Sequence, residues 1–100
     1  MESKIEPDPT VHWWVYIILT NKGQYYTGIT TDIPRRFLEH SQTSAGVKNA
    51  KGAKFFHSQI PVEVVFKESF LTRGEATRRE LEIKKMSHSE KLELHTYRQV

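Results

Sequence analysis

A chain of 100 residues makes one domain with room for one modest core. Its 37% apolar and 27% charged residues are ordinary for a folded protein and exclude global disorder. No apolar run reaches the length of a membrane span, and the first residues lack the basic-then-apolar order of a signal peptide. The absence of cysteine excludes a disulfide framework and a thiolate metal site, which fits a cytoplasmic protein. The net charge of +3 understates the basic character. Residues 1–10 hold Glu2, Glu6 and Asp8 against Lys4, so the remainder carries +5. That balance favours a polyanionic partner but is common in proteins that bind none.

Residues 1–10 have two prolines and no apolar periodicity and read as a flexible tail. His12–Thr20, aromatic and β-branched, predicts a strand. Asn21-Lys22-Gly23 predicts a hairpin loop, and Gln24–Thr30 the returning strand. Asp32 as N-cap and Pro34 in the first turn open a helix to about His40 or Ser41. Ser41–Gln59 is then a long polar and basic connection of the kind that is usually functional or mobile. Pro61–Phe70 predicts a third strand with Val62, Val64 and Phe66 on one face and Val65 on the other. Thr72-Arg73-Gly74-Glu75 is a capping box opening a helix to about Met86, and Ser87-His88-Ser89-Glu90 opens a last helix through Leu94. The order is β-β-α-β-α-α, with the folded part over residues 11–95 and a tail over 96–100.

A three-residue hairpin loop pairs Thr20 with Gln24, which sets Tyr16 opposite Gly28 and Ile18 opposite Tyr26. Tyr16 and Tyr26 then lie diagonally on one face, with open space over the Tyr16 ring at Gly28. Two aromatic strand residues packing a core would look the same. On the first helix Arg36 and His40 are one turn apart and flank Ile33 and Phe37, while Arg35 and Glu39 point to solvent. Glu80 falls on the apolar stripe of Ala76 and Ile83, so it needs a cation, a donor or a metal. A salt bridge to Arg36 or Arg79 satisfies it as well as a metal ion does. The stretch Lys48–His57 interleaves Lys48, Lys51 and Lys54 with Phe55 and Phe56 and holds no acid. Its lysines, with Arg35, are candidate phosphate contacts, and one phenylalanine is available to stack a base while the other packs the core.

The ordered series Val15-Tyr16-Ile17, Tyr26-Thr27-Gly28, Arg36, His40 and Arg79-Glu80 resembles the GIY-YIG endonuclease superfamily. The stretches YTGITTDIPRRFLEH, GAKFF, PVEVVF and RRELEIKK are similar to its small, single-domain bacterial members, over roughly residues 13–94. The resemblance implies an α/β (α+β) fold, a three-stranded antiparallel sheet flanked by helices. It also implies a divalent-metal site, Mg2+ or Mn2+, that hydrolyses phosphodiester bonds in nucleic acid, with DNA the leading substrate. By position, Tyr16 and Tyr26 are the paired tyrosines, one helping to activate water. Arg36 binds the scissile phosphate, His40 polarises or orients a tyrosine, and Glu80 is the metal ligand. Cations from Arg36, His40 and the metal are what would lower a tyrosine from its usual pKa of about 10. Trp14, Val15 and Thr27 depart from the signature residues, but both tyrosines are kept. A binding module with little catalysis is the alternative, as is a catalytic subunit that needs a protein partner for targeting.

Overall fold

The computed structural model describes residues 11–98. Three strands, β1 (Trp13–Thr20), β2 (Tyr25–Thr30) and β3 (Pro61–Phe70), form one antiparallel sheet in the order β2-β1-β3. Helix α1 (Ile33–Ser44) and a 3₁₀ turn (Lys54–His57) precede β3, and α2 (Arg73–Lys84) and α3 (His88–Arg98) follow it. The fold is thus the expected three-stranded sheet with helices in the order β-β-α-β-α-α. The tail expected over residues 1–10 and the last two residues of the one expected over 96–100 lie outside the described residues.

The central strand β1 buries side chains on both faces, Val15, Tyr16, Ile17 and Ile18 in succession. Val15 and Ile17 join Val65, Phe66, Ala76 and Ile83 in an apolar core beneath α2 and α3. Tyr16 and Ile18 join Phe56 on the other face, against Ile33 and Phe37 of α1 and Ala53 and Phe55 of the connection. The hairpin register is the expected one, with Tyr16 paired to Gly28 and Ile18 to Tyr26.

Both capping boxes close their helices: Thr72 with Glu75, and Ser87 with Glu90. Asp32 caps α1 by accepting from the Arg35 N–H. Three expectations need correction. Helix α1 continues a turn beyond Ser41, because Gly46 at φ +78° ends it. There the Gly46 and Val47 N–H groups bond to Thr43 O and Gln42 O, a Schellman closure. Helix α3 likewise runs past Leu94 to Arg98. The connection is correspondingly shorter and contains the 3₁₀ turn.

The third correction concerns β3. Ile17 pairs with Phe66 but Ile18 with Val64, so Val65 is the extra residue of a bulge. Val64 and Phe66 therefore face opposite cores rather than sharing one. The bulge also turns Lys67 to the Tyr16 face, directly opposite that tyrosine.

Candidate active site

Tyr16 is the hub of the α1 face. It is only 1% exposed, and its ring lies across Gly28, where a Cβ would stand 2.5 Å from the phenol oxygen. The space expected over Gly28 is therefore filled by the tyrosine itself, and glycine is required there by close approach. Tyr26 is half-buried on the same face, its ring centre 6.3 Å from that of Tyr16 and 5.2 Å from that of His40. Phe56, fully buried, and Phe55, half-buried, close the aromatic cluster. Phe56 is thus core.

His40, fully buried on α1, lies 2.9 Å from the Tyr16 hydroxyl through Nε2. Its Nδ1 accepts the Ala53 backbone N–H at 3.1 Å. Burial first, and the nearby Arg36 charge second, lower its pKa to about 4, with Glu39 opposing. His40 is therefore neutral near pH 7, which corrects its expected part as one of the cations acting on tyrosine. A neutral imidazole carries one N–H, and with Nδ1 accepting, that hydrogen sits on Nε2. The network thus assigns His40 as donor and the Tyr16 oxygen as acceptor.

Arg36 stands beside the same hydroxyl, close enough to pull its pKa down. Its Nη1 donates to Glu39 Oε1 at 2.8 Å and to Lys51 O at 2.7 Å. Glu39 is therefore the partner that holds Arg36 rather than the solvent-facing residue expected. Arg35 does face solvent. Burial is the largest influence on Tyr16 and raises its pKa, Tyr26 and Glu80 add to the rise, and Arg36 opposes it. The Glu80 carboxylate acts on Tyr16 across the site, although it is delivered by α2, which contacts all three strands. Its side chain is 16% exposed and its Oε2 pairs with Lys84 Nζ at 3.0 Å. Neither expected partner is used: Arg36 takes Glu39, and Arg79 takes Glu68 at 2.9 Å and Glu82 at 3.1 Å.

All five residues singled out from the sequence, Tyr16, Tyr26, Arg36, His40 and Glu80, therefore influence or touch one phenol oxygen or its ring. An open cleft of about 320 Å3 between β3 and α2 is lined by none of them. Lys48, Lys51 and Lys54 are exposed along the connection, and Lys51 joins the site through its carbonyl. Sequence reasoning missed Lys67, whose ammonium sits 5.6 Å from the Trp14 ring beside Tyr16. It also missed Thr43 and Gly52, which hold the connection against α1. The bulge hid Lys67, whereas Gly46 was a legible sign that α1 reaches Thr43.

The donor set can be matched to a metal. Among the described residues no group of three or more His, Asp or Glu side chains converges as a closed metal cage. A single, partly buried carboxylate suits a magnesium-like ion, which keeps several waters, and not a zinc-like one. Among the described residues no helix is long and apolar enough to cross a membrane.

The family model described as the GIY-YIG catalytic domain matches residues 12–93. A UPF0213 protein of Desulfotalea psychrophila is 43% identical over 79 residues, covering 79% of this chain and 66% of that protein. A UPF0213 protein of Halobacterium salinarum is 44% identical over 77 residues, covering 77% and 91%. The solution NMR structure of a UPF0213 protein from Bacillus halodurans superimposes with a TM-score of 0.51 at 32% identity, over 86% of this chain and 84% of that one. An E. faecalis protein solved by NMR gives 0.54 at 29% identity, over 100% and 94%. The chain belongs to the GIY-YIG family, a nuclease superfamily, and is similar to the UPF0213 proteins within it.

Proposed function

We propose that this protein is a divalent-metal-dependent endonuclease that hydrolyses phosphodiester bonds in DNA at the Tyr16, Tyr26, Arg36, His40 and Glu80 centre. The observation that carries this reading is the Tyr16 oxygen. It accepts from His40 at 2.9 Å, feels Arg36 beside it, and lies in reach of the Glu80 charge from another helix. A purely structural tyrosine needs one partner, not a donor, a guanidinium and a carboxylate together.

Tyr16 is the group that takes the proton of the attacking water. At rest, burial and the Glu80 carboxylate keep its own proton in place. Tyr16 acts as a base only once that proton has passed to bulk solvent, which, with its pKa raised, becomes more frequent as pH rises. The phenolate then retains the His40 N–H as donor and Arg36 as counter-ion and takes up the water proton. Arg36, 27% exposed at its side chain and held by Glu39 and the Lys51 carbonyl through Nη1, would meet the scissile phosphate with its other N–H groups and offset charge on its oxygens. Tyr26, half-buried, is the tyrosine a substrate meets first. Glu80 would hold the metal ion, which when bound supplies positive charge against the phosphoryl oxygens and lowers the pKa of its waters. Lys48, Lys51, Lys54 and Arg35, all exposed, are the phosphate contacts outside the centre.

The test is cleavage of duplex, single-stranded, branched and nicked DNA, and of RNA, with magnesium or manganese, by wild type and Glu80→Ala. Metal-dependent cutting of DNA that falls by at least about 10²-fold in Glu80→Ala while binding persists is the expected result. Folded wild-type protein that binds the panel and cuts nothing overturns it in favour of a binding module or a partner-dependent subunit.

A further inference from the structure

Residues 51–53 lie along α1 and are bonded at every position to residues from its first turn to its last. The Lys51 carbonyl accepts from Arg36 Nη1 at 2.7 Å, the Gly52 N–H donates to Thr43 Oγ1 at 2.8 Å, and the Ala53 N–H donates to His40 Nδ1 at 3.1 Å. Arg36, His40 and Thr43 are spaced i, i+4 and i+7, so three consecutive strap residues meet one stripe of the helix. Gly52 is the pivot. A Cβ there would sit 2.5 Å from Thr43 Oγ1, 2.6 Å from Glu39 O and 2.6 Å from His40 Cα. Two of those atoms are backbone, so a side chain at 52 lifts the strap from the helix. Ala53 then caps the 3₁₀ turn that lays Phe56 against the His40 ring, 4.5 Å between centres.

The direction of the Tyr16–His40 bond depends on this strap. If Nδ1 carried the hydrogen, Nε2 would accept from Tyr16 and hold the phenolic proton between the two rings. With Nδ1 occupied by the Ala53 N–H, Nε2 donates, and the phenolic proton points away from His40. We propose that the 51–53 backbone is a positioning strap that fixes His40 as the Nε2–H tautomer, with Gly52 and Thr43 as its positioning residues. Its consequence for cleavage rests on the function proposed above, whereas the tautomer does not. The groups that face the His40 ring are Tyr16 of β1, Tyr26 of β2, Arg36 and Glu39 of α1, and the uncharged Phe56 of the 3₁₀ turn.

The experiment is heteronuclear NMR of the histidine side chains of the full chain near pH 7, with His40 assigned by its loss in His40→Gln, alongside the cleavage assay. Wild type is expected to show a pyrrole-type Nε2 and a pyridine-type Nδ1. Gly52→Ala and Thr43→Val are expected to lose that pattern and to cut about 10- to 100-fold more slowly, while Thr43→Ser keeps both. A wild-type His40 protonated at Nδ1, or variants that retain the Nε2–H pattern, overturns the proposal. Should Gly52→Ala fail to fold, the Thr43→Val and Thr43→Ser pair decides by the same readouts. A wild type with the expected tautomer, lost in the variants, but without cleavage keeps the strap and removes the nuclease reading.

Discussion

Tyr16 and Tyr25 each engage a histidine ring through the phenol oxygen. Tyr16 meets His40 Nε2 at 2.9 Å on the α1 face, and Tyr25 meets His95 Nδ1 at 3.1 Å on the face covered by α2 and α3. Tyr25 also stacks on His88, with centres 5.0 Å apart, so its two histidines tie α3 to β2. The surroundings differ more than the pairs do. Burial alone raises the pKa of Tyr25, whereas Tyr16 also answers to Tyr26, Arg36 and Glu80. The core beneath the Tyr25 face is built from Val15, Ile17, Val65, Phe66, Ala76 and Ile83, with Thr27 the buried polar residue among them. A Tyr–His hydrogen bond is thus a fastening on one face. On the other, in the function proposed above, it serves a reactive group, because opposite charges from two helices are brought to one oxygen.

The sharpest way to break this comparison is to remove each hydroxyl in turn. Tyr16→Phe is expected to lower the single-turnover cleavage rate by about 10²-fold or more, since it removes a group that moves a proton. Tyr25→Phe is expected to leave that rate unchanged and to cost about 0.5–1.5 kcal/mol in denaturant unfolding. Equal losses of rate in the two variants would place the chemistry elsewhere.

A second contrast is in pH. The unfolded chain protonates His40 near 6.5 and the folded chain only near 4. Between those values the unfolded state binds more protons, so the contribution of neutral His40 is complete above about 6.5 and is lost as pH falls toward 4. Its slope is at most about 1.4 kcal/mol per pH unit. Urea midpoints followed from pH 7 to 4 should show this loss in wild type and a shallower one in His40→Gln. The raised pKa of Tyr16 adds that the cleavage rate should keep climbing with pH above 8. A rate that levels off near neutrality would remove Tyr16 as the proton acceptor.

The two faces also differed in how far the sequence disclosed them. The shared face of Tyr16 and Tyr26, the one-turn spacing of Arg36 and His40 and the place of Glu80 on its apolar stripe were legible because strand alternation, a three-residue loop and helical spacing are local rules. Only the family resemblance joined the five into one centre. The charge state of His40 was not legible, since it is set first by burial that only the assembled fold creates, and its tautomer was not, since that follows from the Ala53 N–H thirteen residues away. Lys67 was hidden because one bulge at Val65 reverses every side chain beyond it. Glu39 was misread because the i, i+3 bond to Arg36 competes with solvent, and helical spacing alone does not decide the winner. The capping boxes at Thr72 and Ser87, whose partners lie three residues apart, fixed two helix starts.

Thr27 gives a smaller effect on the apolar side. It is buried opposite Ile17, and its Oγ1 is a buried side-chain oxygen with no hydrogen-bond partner among the described residues. Replacing the hydroxyl by a methyl of similar shape removes a desolvated polar group without opening a cavity. Thr27→Val is therefore expected to raise stability by about 1 kcal/mol in urea unfolding, with cleavage unaltered. Destabilisation instead would mean that the hydroxyl is satisfied by ordered water.

The smallest expected effect concerns Lys84, and it separates a structural ion pair from a metal ligand that is masked at rest. Lys84 is half exposed and reaches Glu80 from one turn along α2, so the pair itself contributes no more than about 1 kcal/mol to stability. Its positive charge nonetheless occupies the carboxylate oxygen that a divalent cation would need, so the two compete for one anion. Lys84→Met keeps the aliphatic stem and removes the competitor. The magnesium concentration giving half-maximal cleavage should then fall by about 2- to 5-fold, as expected from a pair of that strength. The maximal rate and the urea midpoint should scarcely change. An unchanged magnesium dependence would mean that Glu80 does not hold the ion, and would leave its carboxylate only its electrostatic reach to Tyr16.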